Sequence, residues 1–364
     1  MKKQKRLLLI SIALIFTIGT VFTGCGGGGS DPGDGGSDGG GEVINWSFYT
    51  SYGPNDGACT ELWPILFNEV KEKTDGRLNI TIYWGGQHPY EESDLLKALD
   101  DGAAQVVFFF GGYLSSVDPI FGFEALPLML PIDSMKAFAL TSELWGNYEG
   151  DRNGFLERLL QDRWGATMVH RLPPSPQRFF SSGFEIKDVN SLAGKKIRTY
   201  NAELAKLVEI MGGTPVPISF SEVYTSLATN LIDGLITSTA FAYNGGFFDY
   251  TDVINKWEIA QGTDGVVASL DALEALPDDL AEIFLSVMRT SAQKPEMLEI
   301  EQNEEIVERL VAEGTAKVVT PTQETWSELR ELCKTRIWDE WLKQCGPEAQ
   351  QLLDELDRIL AAMN

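Results

Sequence analysis

The 364-residue sequence predicts an α/β protein built as two lobes. Three observations point there. Residues 43–110 alternate short extended runs with amphipathic stretches in the order strand, helix, strand, helix, strand. Residues 191–236 repeat that order with fuller punctuation. Between the two series, Pro173-Pro174-Ser175-Pro176 can continue no ladder and reads as a crossing near residue 176.

In the first series Val43 to Tyr49 alternates as a strand, and Leu62 to Lys73 suits a helix that Thr74-Asp75-Gly76-Arg77 ends. Leu78 to Tyr83 alternates strictly with period two. Glu91 to Leu99 reads as a helix ending at Asp100-Asp101-Gly102. Gln105 to Phe110 is a continuous apolar strand of the kind a buried parallel sheet uses.

In the second series Gly194 closes a turn and Lys196 to Tyr200 reads as a strand. Asn201 is a good N-cap for a helix whose Leu204, Leu207, Val208 and Met211 fall at i, i+3, i+4 and i+7. Gly212-Gly213 supplies a left-handed stop, and Pro215 to Ile218 is extended. Ser219 and Glu222 have capping-box spacing for a helix carrying Val223, Tyr224 and Leu227. Asn230 suits the left-handed C′ position before Leu231-Ile232 and the turn Asp233-Gly234. In such sheets ligands sit beyond the carboxyl ends of the strands, where Arg198 and Asn201 lie. Further on, Asp278 to Glu313 predicts a long helix with Pro277 at N1, acids in its first turn and a kink at Pro295. Glu324 to Lys343 and Glu348 to Met363 read as amphipathic helices.

Met1 to Gly24 is a targeting segment: Lys2, Lys3, Lys5 and Arg6 precede an apolar run from Leu7 to Phe22. Phe22-Thr23-Gly24-Cys25 resembles a lipobox, with Cys25 the residue that takes the lipid; a retained transmembrane anchor is the alternative. Gly26 to Gly41 is almost wholly Gly, Ser, Asp and Pro, and as a coil of about 16 residues would span roughly 20–24 Å. Either way the body is expected outside the cytoplasm, tethered to a membrane.

The formal charge is −24. Loss of the leader removes its four basic residues and no acid, taking the charge from −24 to −28. Such a surface repels nucleic acid and anionic lipid. An acidic chain that binds an anion must concentrate positive charge locally, which an arginine in a cleft does. The two histidines, His88 and His170, lack ligand-like spacing, so no metal is expected. Nucleophile-elbow, Walker A and HExxH patterns are absent from the sequence. Cys333 and Cys345 on one straight helix would lie about 18 Å apart, so a bridge between them requires a broken helix. Free thiols or pairing with Cys59 stay open.

The run LAGKKIR, the segment GGTPVPISFSEVYTSL and the following NLIDG closely resemble the substrate-binding proteins of TRAP transporters, the DctP family. DGRLNITIYWGGQ, ALDDGAAQVVFFF, EALPLMLP and EALPDDLAEIFLSVMRTSA extend the resemblance in consistent order. It implies a periplasmic-binding-protein-like fold with a ligand cleft between lobes and a long lobe-spanning helix. It also implies a return crossing near Gln261 to Asp264, so that lobe I is 43–175 plus 264–305 and lobe II 176–263 plus 306–364, after a 1–24 leader and a 25–42 anchor and linker. No catalysis and no cofactor are implied. The implied partners are a small organic acid and the TRAP membrane subunits.

By the same resemblance Arg198 matches the arginine that forms a bidentate salt bridge to the ligand carboxylate. A planar guanidinium offers parallel donors to a planar anion and keeps its charge; an arginine paired with a nearby acid at a strand end is the plain alternative. Arg178 matches a second pocket arginine of some relatives, or forms a hinge or surface ion pair. Asn201 matches a ligand-contacting amide, a role compatible with capping. Phe220 matches a pocket aromatic, or is core. Thr237, Phe110 and Tyr49 complete the candidate ligand-binding set. After Asp233-Gly234 the family often shows Gln-Glu or a following Asn, where this chain has Leu235, Ile236, Thr237 and Ser238. That departure counts against a sialic-acid-like or cation-bridged ligand. Phe108, Phe109, Phe110, Tyr113, Phe179, Phe180, Phe241 and Tyr243 fall on segments that approach the cleft, and any that face it favour an acid with an apolar or aromatic body. A ligand-sensing receptor for a signalling system, or an enzyme on the same scaffold, are the competing functions.

Overall fold

Alternation in the first series builds a parallel ladder, as the period-two pattern requires. In the computed structural model the described residues are 42–56, 58–146, 154–171, 175–262, 264–290 and 295–363. The leader, Cys25, the Gly-rich stretch to Gly41 and Pro173-Pro174 lie outside them. β1 (Ile44–Tyr49) pairs in parallel along its whole length with β2 (Leu78–Tyr83), after α1 (Ala58–Lys73). The turn out of α1 is left-handed at Asp75 and Gly76 (φ 50° and 76°), as its sequence demands. The helix expected from Glu91 is a 3₁₀ turn over Glu92–Asp94 followed by α2 (Leu95–Asp100). β3 (Val106–Phe110) is buried throughout, the mark of a sheet covered on both faces. It runs directly into α3 (Gly111–Leu114), and after the turn Pro119–Ala125 come α4 (Ser134–Trp145), α5 (Phe155–Trp164) and β4 (Ala166–Arg171).

The chain then enters a second sheet. Antiparallel β5 (Ser175–Ser181) precedes β6 (Lys196–Thr199), α6 (Ala202–Ile210), β7 (Thr214–Pro217), α7 (Val223–Ala228), β8 (Gly234–Thr237), α8 (Thr239–Asn244) and β9 (Val253–Gly262). Local signals act here as written. The Asn201 side chain accepts from Leu204 N at 2.8 Å, Ser219 and Glu222 form the capping box, and Gly212 and Asn230 take φ 82° and 56°. β10 (Asp264–Ser269) returns to the first sheet, giving orders β2-β1-β3-β10-β4 and β11-β9-β5-β8-β6-β7.

α9 (Leu270–Glu274) and α10 (Asp278–Thr290) follow, then α11 (Pro295–Ala312) and the edge strand β11 (Lys317–Val319). The long helix expected over 278–313 is described in two stretches, α10 and α11; residues 291–294, beside the kink expected at Pro295, lie outside the described residues. α11 touches α1 beside the first sheet and α8, β5 and β11 in the second.

α12 (Gln323–Cys333) passes through a π turn at Lys334–Trp338 into α13 (Asp339–Cys345), then α14 (Pro347–Met363). The helical run is continuous, and Cys333 and Cys345 are both free thiols, with burial pushing each pKa up to about 12. The side chain of Cys59 lies outside the description. The tail touches both sheets' surroundings. Trp341 Nε1 donates to Pro119 O at 2.8 Å, Trp338 Nε1 to Pro127 O at 2.9 Å, and Glu348 pairs with Arg163, all on the segment between β3 and β4. Glu340 pairs with Lys206 on α6, and Trp326 Nε1 donates to Trp257 O at 3.1 Å on β9, so the tail grips both sheets.

His170 on β4 is fully buried; its Nδ1–H donates to Met288 O on α10 at 2.9 Å, and Nε2 has no partner. Burial pushes its pKa from about 6.5 down to about 4. The unfolded chain therefore binds a proton that the folded one refuses between these values, and stability falls as pH falls from about 6.5 to about 4, by at most ~1.4 kcal/mol per unit. Urea unfolding across that window should show a slope smaller by up to one proton in His170→Asn than in the native protein; identical slopes would contradict this.

Candidate ligand-binding site

The carboxyl ends of β1, β3, β6 and β8 point at one another, and a cavity lies where they meet. From the first sheet's side it is lined by Tyr52, Phe110, Tyr113 and Asp264. Gln177, Arg198, Tyr200, Phe220, Thr237, Phe241 and Gly262 line it from the second. It holds about 350 Å³ of empty space, of which the centre of a water molecule can reach only about 20 Å³, so its walls stand close. Aromatic pairs cross between the sheets. Tyr200 meets Phe110 and Tyr113 at 5.6 and 5.9 Å, and Tyr52 meets Phe241 and Phe220 at 4.9 and 6.1 Å. Two glycines permit this approach: a Cβ on Gly112 or on Gly262 would stand 2.6 Å from the Phe110 ring.

Arg198 is 1% exposed at the end of β6. Its Nε donates to Ile218 O at 3.1 Å and its Nη1 to Ile236 O at 3.3 Å. Nη2 is buried without a partner, and Arg198 pairs with no carboxylate among the described residues. Of the guanidinium's five N–H donors, two are engaged, leaving the terminal edge of the fork available. The Tyr200 ring lies 5.5 Å from the guanidinium carbon. Burial pushes the Tyr200 and Tyr113 phenols up, so both remain neutral donors. Glu92, in a separate cleft with Ser219 and Tyr224 that shares Phe220 with this cavity, has its pKa raised by burial, which the charge of Arg198 only partly opposes.

Of the residues expected from sequence, Arg198, Phe220, Thr237 and Phe110 meet in this cavity. Three do not line it. The guanidinium of Arg178, 1% exposed, is held by Glu258 (Nη2–Oε1 2.8 Å), by Glu304 on α11 (2.5 Å) and by Thr239 (2.8 Å). The cause is a bulge between Gln177 and Phe179 against β9, with Glu258 in the left-handed region (φ 47°), which turns Arg178 away and Gln177 inward. Tyr49 stacks on His88 (4.6 Å, 5°) instead of facing the cavity. Asn201 spends its amide oxygen on the α6 cap, and its Nδ2 lies 3.5 Å from Gly112 O. Among the aromatics, Tyr113 and Phe241 line the cavity, Phe108, Phe109, Phe179 and Phe180 are core, and Tyr243 lies under Arg309 (4.4 Å). Sequence reasoning missed Tyr52, Gln177, Tyr200 and Asp264. The last had a signal, since the return crossing falls on it.

Asn201→Ala should cost about 1 kcal/mol of stability, the usual worth of a cap, with ligand affinity unchanged in calorimetry. Loss of binding would restore a ligand role to this amide. Arg178→Met should cost about 3–5 kcal/mol in chemical denaturation, because it strands Glu258 without its partner; a neutral result would show the ion cluster to be solvated and weak.

The family profile described as "Bacterial extracellular solute-binding protein, family 7" (DctP) matches residues 65–344. The uncharacterized protein YiiZ of Salmonella typhimurium is 26% identical over 187 residues, 50% of this chain and about half (54%) of that protein's length. The C4-dicarboxylate-binding periplasmic protein DctP of Rhodobacter capsulatus is 23% identical over 308 residues, 78% of this chain and 82% of that one. Among solved structures, DctP6 of Bordetella pertussis, an extracytoplasmic solute receptor binding pyroglutamic acid, superposes with a TM-score of 0.76 at 23% identity, covering 86% of this chain and 100% of that one. At that identity the superposition establishes the two-sheet fold. The profile, spanning well over half of the chain, establishes the family: this protein belongs to the DctP-type solute-binding proteins of TRAP transporters, which are receptors and not enzymes.

Proposed function

We propose that the protein captures a small organic carboxylate on Arg198, in the cavity between its two sheets, and delivers it to TRAP membrane subunits from outside the cytoplasmic membrane. The observation that carries this reading is the buried guanidinium with Nη2 unpartnered beside a cavity. Charged donors held out of water without an acceptor are costly, and a bound carboxylate relieves that cost with two short parallel bonds. Tyr113 and Tyr200 add neutral hydroxyls, and Phe110, Phe220 and Phe241 pack an apolar body. As it stands the cavity has room for little more than a water molecule, so a ligand must part its walls.

Entry requires the walls to part, and a ligand that touches both of them favours the closed arrangement by its differential affinity. Cys25, by its lipobox resemblance, carries the lipid that tethers the receptor, with the Gly-rich stretch as leash.

Calorimetry with a panel including pyroglutamate, succinate and sugar acids tests the reading. For an acid that binds, Arg198→Ala should weaken binding by tens to thousands of fold, as expected for cutting a desolvated charge pair. Arg198→Lys should recover part of the loss, because an ammonium supplies charge without the fork. Equal affinity in native and Arg198→Ala protein would overturn the assignment.

A further inference from the structure

Tyr200 follows Arg198 by two residues, just past the end of β6, the spacing that puts two side chains on one face of an extended chain. Both line the cavity, and the Tyr200 ring lies 5.5 Å from the guanidinium carbon. The ring also packs on the first sheet's side, 5.6 Å from Phe110 and 5.9 Å from Tyr113. Its hydroxyl oxygen is closed off from water and has no hydrogen-bond partner among the described residues, as is also true of Arg198 Nη2. The Tyr113 hydroxyl differs, since it is hydrogen-bonded to Tyr52. Burial holds the Tyr200 proton in place, against the opposing charge of Arg198. One wall of one cavity thus carries two buried donors that nothing in the protein answers.

We propose that Tyr200 is a second anchor for the ligand, its hydroxyl donating to the carboxylate that Arg198 grips, and that the empty protein gives up stability to keep it. This rests on the carboxylate reading of the cavity and adds a residue to it. A buried hydroxyl without a partner is a net cost to folding, and phenylalanine supplies the same ring without that cost. Plain rings do fill the other aromatic places in the wall, at Phe110, Phe220 and Phe241. A carboxylate has about four lone-pair sites on its two oxygens, so it can take the terminal edge of a guanidinium and a phenol together. Because the ring bears on Phe110 and Tyr113, the hydroxyl reaches the ligand only while the walls stand together, which ties this contact to the closed arrangement.

Tyr200→Phe isolates the hydroxyl, because it keeps the ring and its aromatic neighbours. Without ligand the variant should melt at the native temperature or above it, since the change removes a stranded polar atom. Calorimetry is run with pyroglutamate, succinate and glucuronate, and the acid that the native protein binds most tightly serves as the probe. The variant should bind it about tenfold or more weakly, the worth of a hydrogen bond to a charged group. Affinity within about twofold of native would overturn the proposal and leave the ring merely structural. A lower melting temperature without ligand would overturn it too, by showing that the hydroxyl has a partner in the protein. In an Arg198→Lys background the same change should cost less than about threefold, because residues that hold one group do not act additively. A full loss of about tenfold in both backgrounds would put the hydroxyl on another part of the ligand and overturn the shared grip. Loss of binding in Arg198→Ala with none in Tyr200→Phe would leave the carboxylate reading standing without this addition. Failure of all three acids to bind the native protein would overturn both.

Discussion

Holding a guanidinium out of water is unfavourable unless its charge and its N–H groups are answered, and in this chain they are answered only in part. Two carbonyls, from Ile218 and Ile236, fix Arg198 by Nε and Nη1. They orient the fork without neutralising it. Both acceptors are backbone atoms of the second sheet, so the arginine is placed by secondary structure and not by a mobile side chain. What remains is a fixed positive edge directed to the space that the two sheets share. Contrast Arg178, equally buried, whose charge is met by Glu258 and Glu304. Arg178 is tied into ion pairs with Glu258 and Glu304, whereas Arg198 makes no ion pair among the described residues.

The surrounding architecture serves that edge. Aromatic pairs across the sheets, each worth about 0.5–1.5 kcal/mol beyond burial, bring the walls together, and Gly112 and Gly262 allow the rings to close up. α11 and the terminal helices connect both sheets through Glu304, Asn303, Trp326, Trp338 and Trp341. A closed cavity that admits little water raises the worth of every charge in it.

Much of the fold was legible because its signals are local. Asn201, Ser219 with Glu222, Gly212 and Asn230 each determine a helix boundary within four residues of themselves, and those boundaries place Arg198 at a strand end facing a crevice. Helix phase over long distances was less legible: the π turn at Lys334–Trp338 carries no Gly or Pro to announce it. The site divided along the same line. Arg198, Phe110 and Thr237 sit at strand ends, which sequence reveals, and Phe220 came from the family resemblance. The exclusion of Arg178 follows from a bulge in β9 and the left-handed Glu258, and neither carries a Gly or Pro to announce it. Tyr49 and Tyr52 differ by three residues at one strand end, and only the course of the turn decides which ring reaches the cavity.

The most direct measurement is a crystal structure of the protein with an acid that it binds. The account requires the ligand carboxylate within hydrogen-bond distance of Arg198 Nη2 and Nη1, between the walls that carry Phe110 and Phe220, with the carbonyl contacts of Ile218 and Ile236 kept. A ligand seated in the separate cleft beside Ser219 and Tyr224, with the terminal edge of Arg198 still empty, would contradict it.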